Sequence, residues 1–295
     1  MPEPIFRRLA IIGMGLIGSS VARAAQARGT IEAEVVASDS SAAVLERVRV
    51  LGIADRVEAD PAAAVAGADC VMLCVPVGAF AAIAAAIAPH LMPGATVTDT
   101  GSTKQSVIRD LAETLPPNVH LVPAHPMAGT EYSGPDSGFG TLFENRWCLL
   151  TPLPEADPAA VERVAELWRR CGANIEMMDP AHHDRVVAIV SHLPHLIAFT
   201  ICGTADDLAD ESRQQVMKFA AAGFRDFTRI AASDPVMWRD VFLNNREALL
   251  EMLARFTEDS QAMARAVRWG DGAYIEDKIE RGRAIRKDLI ELKQA

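Results

Sequence analysis

The chain has 295 residues, 50% of them hydrophobic but only 5% aromatic, with a formal net charge of −10 at pH 7. That length and apolar content suit two domains of ordinary size. The acidic balance argues against nucleic acid or anionic membrane as partners, since both are held by basic patches, and it leaves an anionic substrate to individual arginines.

In chain order, an apolar run at 9–12 predicts a strand that leads directly into Gly13-Met14-Gly15-Leu16-Ile17-Gly18 and then a helix ending at Gly29. A second strand over 34–39 ends on Asp39. Residues 70–89 carry no charge and are long enough to span a bilayer, but Pro76 and Gly78 divide them into a strand at 70–74 and an alanine-rich helix at 79–88. Further strands are expected at 95–99, 120–123, 146–150 and 174–177, with helices between them. This alternation predicts a parallel, doubly wound Rossmann-type sheet covered on both faces. Asp179-Pro180 reads as an N-cap with proline at the first helical position. Beyond it, helices are expected at about 180–190, 195–208, 212–222, 235–253, 255–268 and 273–293. The division expected is a strand-and-helix domain over 1–178 and an all-helical domain over 179–295.

Cys70, Cys74, Cys148, Cys171 and Cys202 lie scattered in apolar segments without C-x-x-C spacing. They predict free thiols in a reducing cytoplasm and no metal site. The N-terminus lacks the apolar core of a signal peptide, so a cytoplasmic protein is expected.

A lone G-x-G-x-x-G is a weak signal. Here Gly13, Gly15 and Gly18 follow a strand and open a helix, and Asp39 lies at about the expected 20-residue separation. Gly13 permits the tight turn, Gly15 lets the backbone approach a pyrophosphate, and Gly18 allows close packing of helix on sheet. Together with Leu16 and Ile17 they form a helix N-terminus suited to phosphate. Asp39 accepts hydrogen bonds from a ribose 2′-hydroxyl and repels a 2′-phosphate, which favours NAD over NADP.

Two more strand ends attract attention. Ser102 follows the strand at 95–99 and fits two roles, a capping box with Gln105 or a hydroxyl presented to a ligand. His125, in His125-Pro126-Met127-Ala128-Gly129-Thr130-Glu131, sits at what reads as the carboxyl end of a strand in the same sheet. It is either an ordinary turn histidine or a general base beside the cofactor. Lys104 and Glu131 are weaker candidates.

The glycine fingerprint, Asp99-Thr100-Gly101-Ser102-Thr103-Lys104 and the His125–Glu131 motif together resemble the prephenate and arogenate dehydrogenase family. The resemblance continues through Ser191-His192-Leu193-Pro194-His195, residues 223–231 and residues 233–240. It implies NAD-dependent oxidative decarboxylation of a cyclohexadienyl acid in tyrosine biosynthesis, with a homodimer formed through the helical half. It further implies that His125 draws off the ring hydroxyl proton, with Ser102 orienting the imidazole and that hydroxyl beside the nicotinamide, as part of the cofactor site. Arg229 would bind the ring carboxylate, and His195 and Trp238 would lie near the substrate side chain. His192 is close enough in sequence to exchange roles with His195. Asp226 either bears on substrate choice, because an acid near that position favours the ammonium of arogenate over the keto group of prephenate, or merely pairs with Arg225 or Arg229. Neither an appended regulatory domain nor a fused mutase is expected. A 3-hydroxyacid or imino acid dehydrogenase shares the fingerprint but is not expected to combine His125, Ser102 and Arg229; a noncatalytic NAD-sensing protein would keep only the fold.

Overall fold

The computed structural model describes residues 3–130, 132–208, 214–215 and 218–292. Glu131 and part of the helix expected at 212–222 lie outside the described residues. The chain forms two compact units, 1–246 and 247–295.

The first unit opens with β1 (Phe6–Ile12), α1 (Leu16–Arg28), β2 (Ile31–Ser38), α2 (Ala42–Leu51), β3 (Arg56–Glu58), α3 (Pro61–Val65) and β4 (Cys70–Leu73). It continues through α4 (Phe80–Ile87), β5 (Thr96–Asp99), α5 (Lys104–Ala112) and β6 (His120–Val122). These strands form one parallel sheet in the order β3-β2-β1-β4-β5-β6. The order reverses between β1 and β4, which opens a crevice at their carboxyl ends. The central strand β4 and residues 9–12 of β1 are apolar on both faces because each face carries helices. Leu9 and Ile11 pack on one side with α1 and with Leu167 and Trp168, whereas Ala10 and Ile12 pack on the other with Phe80, Val107 and Leu111. The cysteines are all free thiols, with Cys74 and Cys202 half-buried and the other three buried.

The sheet ends sooner than expected. After β6 the chain enters a second, three-stranded sheet of β7 (Ala124–Pro126), β8 (Trp147–Leu150) and, after α6 (Pro158–Arg170), β9 (Asn174–Met177). β7 runs antiparallel to β8, and β8 parallel to β9. His125 therefore sits in the middle of a short strand of the smaller sheet, not at the carboxyl end of a strand of the larger one. Pro123 marks the change. It has no N–H to extend the β5–β6 ladder, and its carbonyl accepts instead from Thr151 N at 3.0 Å beyond β8.

Asp179 caps α7 (Pro180–Val187), its carboxylate accepting from the Ala181 and His182 N–H groups at 2.9 and 3.0 Å. A single π-helical turn, Ala188–His192, joins α7 to α8 (Leu193–Asp206). Pro194 explains it, since its ring cannot follow an unbroken α-turn without clashing with the carbonyl four residues back. The 180–206 run is long and apolar enough to cross a bilayer by length and composition, yet it carries buried His183, Asp184 and His192. The unit closes with α9 (Ala222–Thr228), a short 3₁₀ segment and α10 (Pro235–Asn244). Trp238 and Val241 of α10 join the apolar cluster beneath Phe80 and Leu111, so this helix packs onto one face of the large sheet. It approaches so closely that a Cβ on Gly78 would come within 2.5 Å of the Asp240 carboxylate.

The second unit holds a helical hairpin of α11 (Arg246–Trp269), whose first residue closes the first unit, and α12 (Gly272–Glu291). Gly270, at φ +68°, makes the turn, and Asp271 caps α12. Lys278 Nζ reaches Asp259 Oδ1 at 2.8 Å across the pair. No residue of α12 is buried, and Phe256, Trp269, Ile279 and Ile285 are exposed.

Candidate active site

At the carboxyl end of β1, Gly13 adopts φ +98°, and a Cβ there would lie 2.5 Å from the Cys74 carbonyl oxygen. A Cβ on Gly18 would overlap the carbonyl oxygen of Gly13. Both positions therefore demand glycine for steric reasons. Gly15 differs: nothing lies within 4 Å of its Cβ position, so the backbone faces open space at the start of α1. No side chain caps that helix, and the half-buried Leu16 and Ile17 carry its first N–H groups. An open, uncapped helix N-terminus fits the pyrophosphate of a dinucleotide. Asp39 braces the turn, accepting from Met14 N at 2.8 Å through Oδ2 and from Ser41 N at 2.9 Å through Oδ1. Each oxygen has a further lone pair for a ribose hydroxyl.

Beyond β5 the buried groups multiply. Lys104 is fully buried, its Nζ paired with Asp99 Oδ2 and donating to the Ala124 carbonyl at 2.6 Å. The other Asp99 oxygen accepts from Ala124 N at 3.1 Å. This pair therefore grips both backbone groups of the residue preceding His125 and holds the start of the small sheet against the end of the large one. Burial pushes the Asp99 carboxyl up and the Lys104 ammonium down, and their attraction partly opposes both shifts.

His125 is buried, and its Nδ1 lies 2.9 Å from Nε2 of His183 on α7. His183 Nδ1 lies in turn 2.9 Å from Asp184 Oδ1. Burial lowers the pKa of His125 well below the ordinary imidazole value, and the nearby His183, Lys104 and His192 push the same way. Burial also lowers that of His183, against the pull of Asp184. For Asp184 itself burial acts upward, but the hydrogen bonds from His183, Lys104 and Gln105 outweigh it and hold the carboxyl below its usual range.

The capping box expected of Ser102 and Gln105 does not form. The cap position is Thr103, whose hydroxyl pairs with Ser106 Oγ at 2.7 Å, and the first N–H groups of α5 are taken by Asp184. Lys104 N donates to Oδ1 at 2.7 Å and Gln105 N to Oδ2 at 3.0 Å. A carboxylate at a helix N-terminus is a stronger cap than a serine, because it meets both the free N–H groups and the positive end of the dipole. Ser102 is left half-buried, with no hydrogen bond to its hydroxyl among the described residues. The partner that touches His125 is His183.

The remaining expected residues fall into two groups. His195 stacks on Trp238 with ring centroids 3.7 Å apart and 20° between planes. Its Nδ1 donates to the Ser191 carbonyl at 2.9 Å, which leaves Nε2 for a ligand. Burial lowers its pKa; the Ser191 hydrogen bond opposes this, and the positive charge of nearby Arg229 adds to it, which favours the neutral ring. His192 lies deeper, edge-on to Trp238, with Nδ1 3.0 Å from the side-chain amide of Asn245. Its Nε2 is buried without a hydrogen-bond partner, and burial pushes its pKa down to about 4. The structure thus brings His125, His183 and His192 into one buried cluster and keeps His195 with Trp238 and Arg229 at its edge. Asp226 stands apart, exposed on α9 with no ion pair to Arg225 or Arg229 among the described residues.

Sequence reasoning missed His183, Asp184 and Asn245. A signal was present for two of them. Residues 183, 184, 187 and 188 share one face at helical spacing, and a histidine and an aspartate on an otherwise apolar face require partners. Asn245 left no such trace.

A family model described as the nucleotide-binding domain of prephenate dehydrogenase matches residues 21–177, and one described as its dimerization domain matches residues 179–280. The chain is 42% identical over 285 residues to the cyclohexadienyl dehydrogenase of Zymomonas mobilis, covering 97% of each. It is 35% identical over 287 residues to the prephenate dehydrogenase of Lactococcus lactis, covering 96% of this chain and 77% of that one. Its fold matches the crystal structure of Aquifex aeolicus prephenate dehydrogenase in complex with hydroxyphenyl propionate and NAD+ at a TM-score of 0.88 and 32% identity, over 96% of this chain and 98% of that one. With both domains matched in order and relatives aligned along nearly its full length, the chain belongs to the prephenate dehydrogenase family.

Proposed function

We propose that this chain oxidatively decarboxylates prephenate, arogenate or both in tyrosine biosynthesis, with His125 as the base that removes the ring hydroxyl proton. The observation that carries this reading is a buried imidazole held at Nδ1 by His183, which leaves Nε2 to meet a substrate hydroxyl. Low pKa keeps the ring neutral at physiological pH, the form that can accept a proton, and a positioned base typically contributes about 10²–10⁴-fold.

The open turn at Gly15, the first N–H groups at Leu16 and Ile17, and Asp39 would hold the dinucleotide, with Asp39 favouring NAD over NADP. NAD supplies the hydride acceptor when bound. Ser102, with its hydroxyl uncommitted among the described residues, positions the substrate hydroxyl beside His125. Arg229 binds the ring carboxylate through its planar fork. His195 on Trp238 steadies the far end of the substrate through Nε2, whereas His192, being buried, stays behind that surface. Loss of carbon dioxide restores an aromatic ring, so the protein has mainly to position the groups and take one proton. Asp226 keeps its assignment to substrate choice as an approach residue, since its exposure allows it to meet an incoming ammonium.

We assign the functional division to 178/179, where β9 gives way to α7, and homodimer formation to the helical half. The exposed apolar side chains of α11 and α12 support the latter, because a lone hairpin would leave them in water.

The test is NADH formation on adding prephenate or arogenate. The expected result is turnover with at least one of them and a loss of about 10³-fold in kcat for His125→Asn. Normal NAD binding without turnover on either substrate would overturn the proposal. Comparing both substrates with wild type and Asp226→Asn reads the substrate preference; an unchanged preference removes Asp226 from that role.

A further inference from the structure

We propose that Asp184 fixes which nitrogen of His125 carries the proton, acting through His183, and that the same carboxylate ties this setting to the loop bearing Ser102. The inference rests on the reading of His125 as the base.

The argument is one of donors and acceptors. An ionised carboxylate only accepts, so the 2.9 Å contact between Asp184 Oδ1 and His183 Nδ1 places a proton on that nitrogen. His183 is kept neutral by burial, so its Nε2 bears a lone pair. That lone pair faces His125 Nδ1 at 2.9 Å, and two lone pairs at this distance repel. His125 Nδ1 must therefore carry a proton, and because His125 is neutral too, its Nε2 is the free base. One carboxylate sets both rings. The histidine tautomer follows from the hydrogen bond made by its other nitrogen.

In the reaction the substrate O–H bond breaks and an N–H bond forms at His125 Nε2. The resulting imidazolium donates through Nδ1 to His183, whose own N–H points at Asp184, so the new charge is met by an anion two hydrogen bonds away. No electrons pass along this path; the hydride leaves for NAD. The other groups around the two rings are Lys104 and Asp99 from the β5–α5 segment, Cys148 from β8 and His192 from the π turn. Lys104 and His192, when charged, oppose the imidazolium, and the Asp99 and Asp184 carboxylates support it.

Asp184 has a second task. Its two oxygens accept the Lys104 and Gln105 N–H groups that begin α5, directly after Ser102 and Thr103. A single side chain thus positions the start of the serine loop and the proton on the base. His183 and Asp184 are positioning residues, since neither needs to touch substrate.

The experiment uses full-length protein labelled with ¹⁵N-histidine and two-bond ¹H–¹⁵N correlation spectra near neutral pH, with His125 and His183 assigned from single substitutions. The expected wild-type spectrum shows a protonated Nδ1 and an unprotonated Nε2 on both rings; a protonated Nε2 on His125 overturns the proposal. His183→Phe, which cannot accept, is expected to lose the Nδ1–H preference of His125 and to lower kcat about 10²-fold with the KM for NAD unchanged. Asp184→Asn keeps the shape but presents an amide that can donate to His183, and kcat is expected to fall about 10³-fold with an altered acid limb. A folded His183→Phe with wild-type kcat and pH profile overturns the proposal. If either variant fails to fold, the wild-type spectrum alone decides. A fully active His125→Asn instead overturns the reading of His125 as base, and the spectrum still judges the tautomers separately.

Discussion

The glycine turn and the histidine cluster occupy one unit and are built on opposite principles. The turn is local. Gly13, Gly15 and Gly18 lie within six residues, and their tasks follow from where a Cβ would go. The cluster draws His125 from β7, His183 and Asp184 from α7, His192 from the π turn and Asn245 from just beyond α10, through contacts that span 53 to 61 residues apart from the adjacent His183–Asp184 pair. A backbone cradle can be specified by sterics over a few positions. A buried hydrogen-bond network needs the whole fold to arrive first, and each member depends on its neighbours for its protonation state.

The sharpest way to break this contrast is at the cluster. Lys104→Met leaves Asp99 buried without its cation, for which the expected cost is about 3–5 kcal/mol, read by chemical denaturation. Asp99→Asn in the same background should recover part of that loss, and no recovery would count against the pair as the organising contact. The turn should respond less in stability and more in ligand affinity. Gly18→Ala is expected to cost about 1–3 kcal/mol through overlap with Gly13 and to weaken NAD binding in calorimetry, whereas Gly15→Ala should leave stability unchanged. An equal stability loss at both glycines would remove the distinction drawn here.

Acidification separates the regions without mutation. His125, His183 and His192 all have pKa values lowered in the folded protein, so unfolding takes up protons on acidification. Their contribution is fully present above the unfolded value of about 6.5 and is lost as pH falls through their folded values, for His192 at about 4. The melting temperature should therefore drop between these limits, and His192→Asn should flatten the drop. The smallest effect is expected at Asp39→Asn, which keeps an acceptor for Met14 N while losing the charge. The ratio of kcat/KM for NAD over NADP should fall about tenfold, equivalent to about 1.4 kcal/mol.

These differences also explain what could be read from the sequence. β1, β2 and β4 were legible because a strand buried on both faces is a short apolar run closed by glycine, proline or an acid, and β5 because its threonines and valine favour a strand. Asp179-Pro180 announced α7 because both residues act within a turn of each other. The small sheet was hidden: its individual strands could be anticipated, but nothing local says that 124–126 leaves β6 to pair with 147–150. Ser102 shows the same limit. Ser-x-x-Gln is a sound local cap, yet Asp184 arrives from 80 residues away and takes the N–H groups the serine was expected to serve. His125 stood out as a candidate by its motif, whereas its hydrogen-bond partner could be found only by asking why a histidine and an aspartate lie on the apolar face of α7.

The π turn at 188–192 has a consequence for how this protein tolerates length changes. Such a turn holds about one residue more than an α-turn, and one residue corresponds to about 100° of helical rotation. It therefore acts as a phase shifter between two rigid rods, one carrying His183 and Asp184, the other His195. Removing a single exposed residue such as Val190 would bring the rods back into a common phase and turn the face that stacks on Trp238 away from the cluster, with no polar side chain altered. Residue count in this segment is as much a part of the site as residue identity.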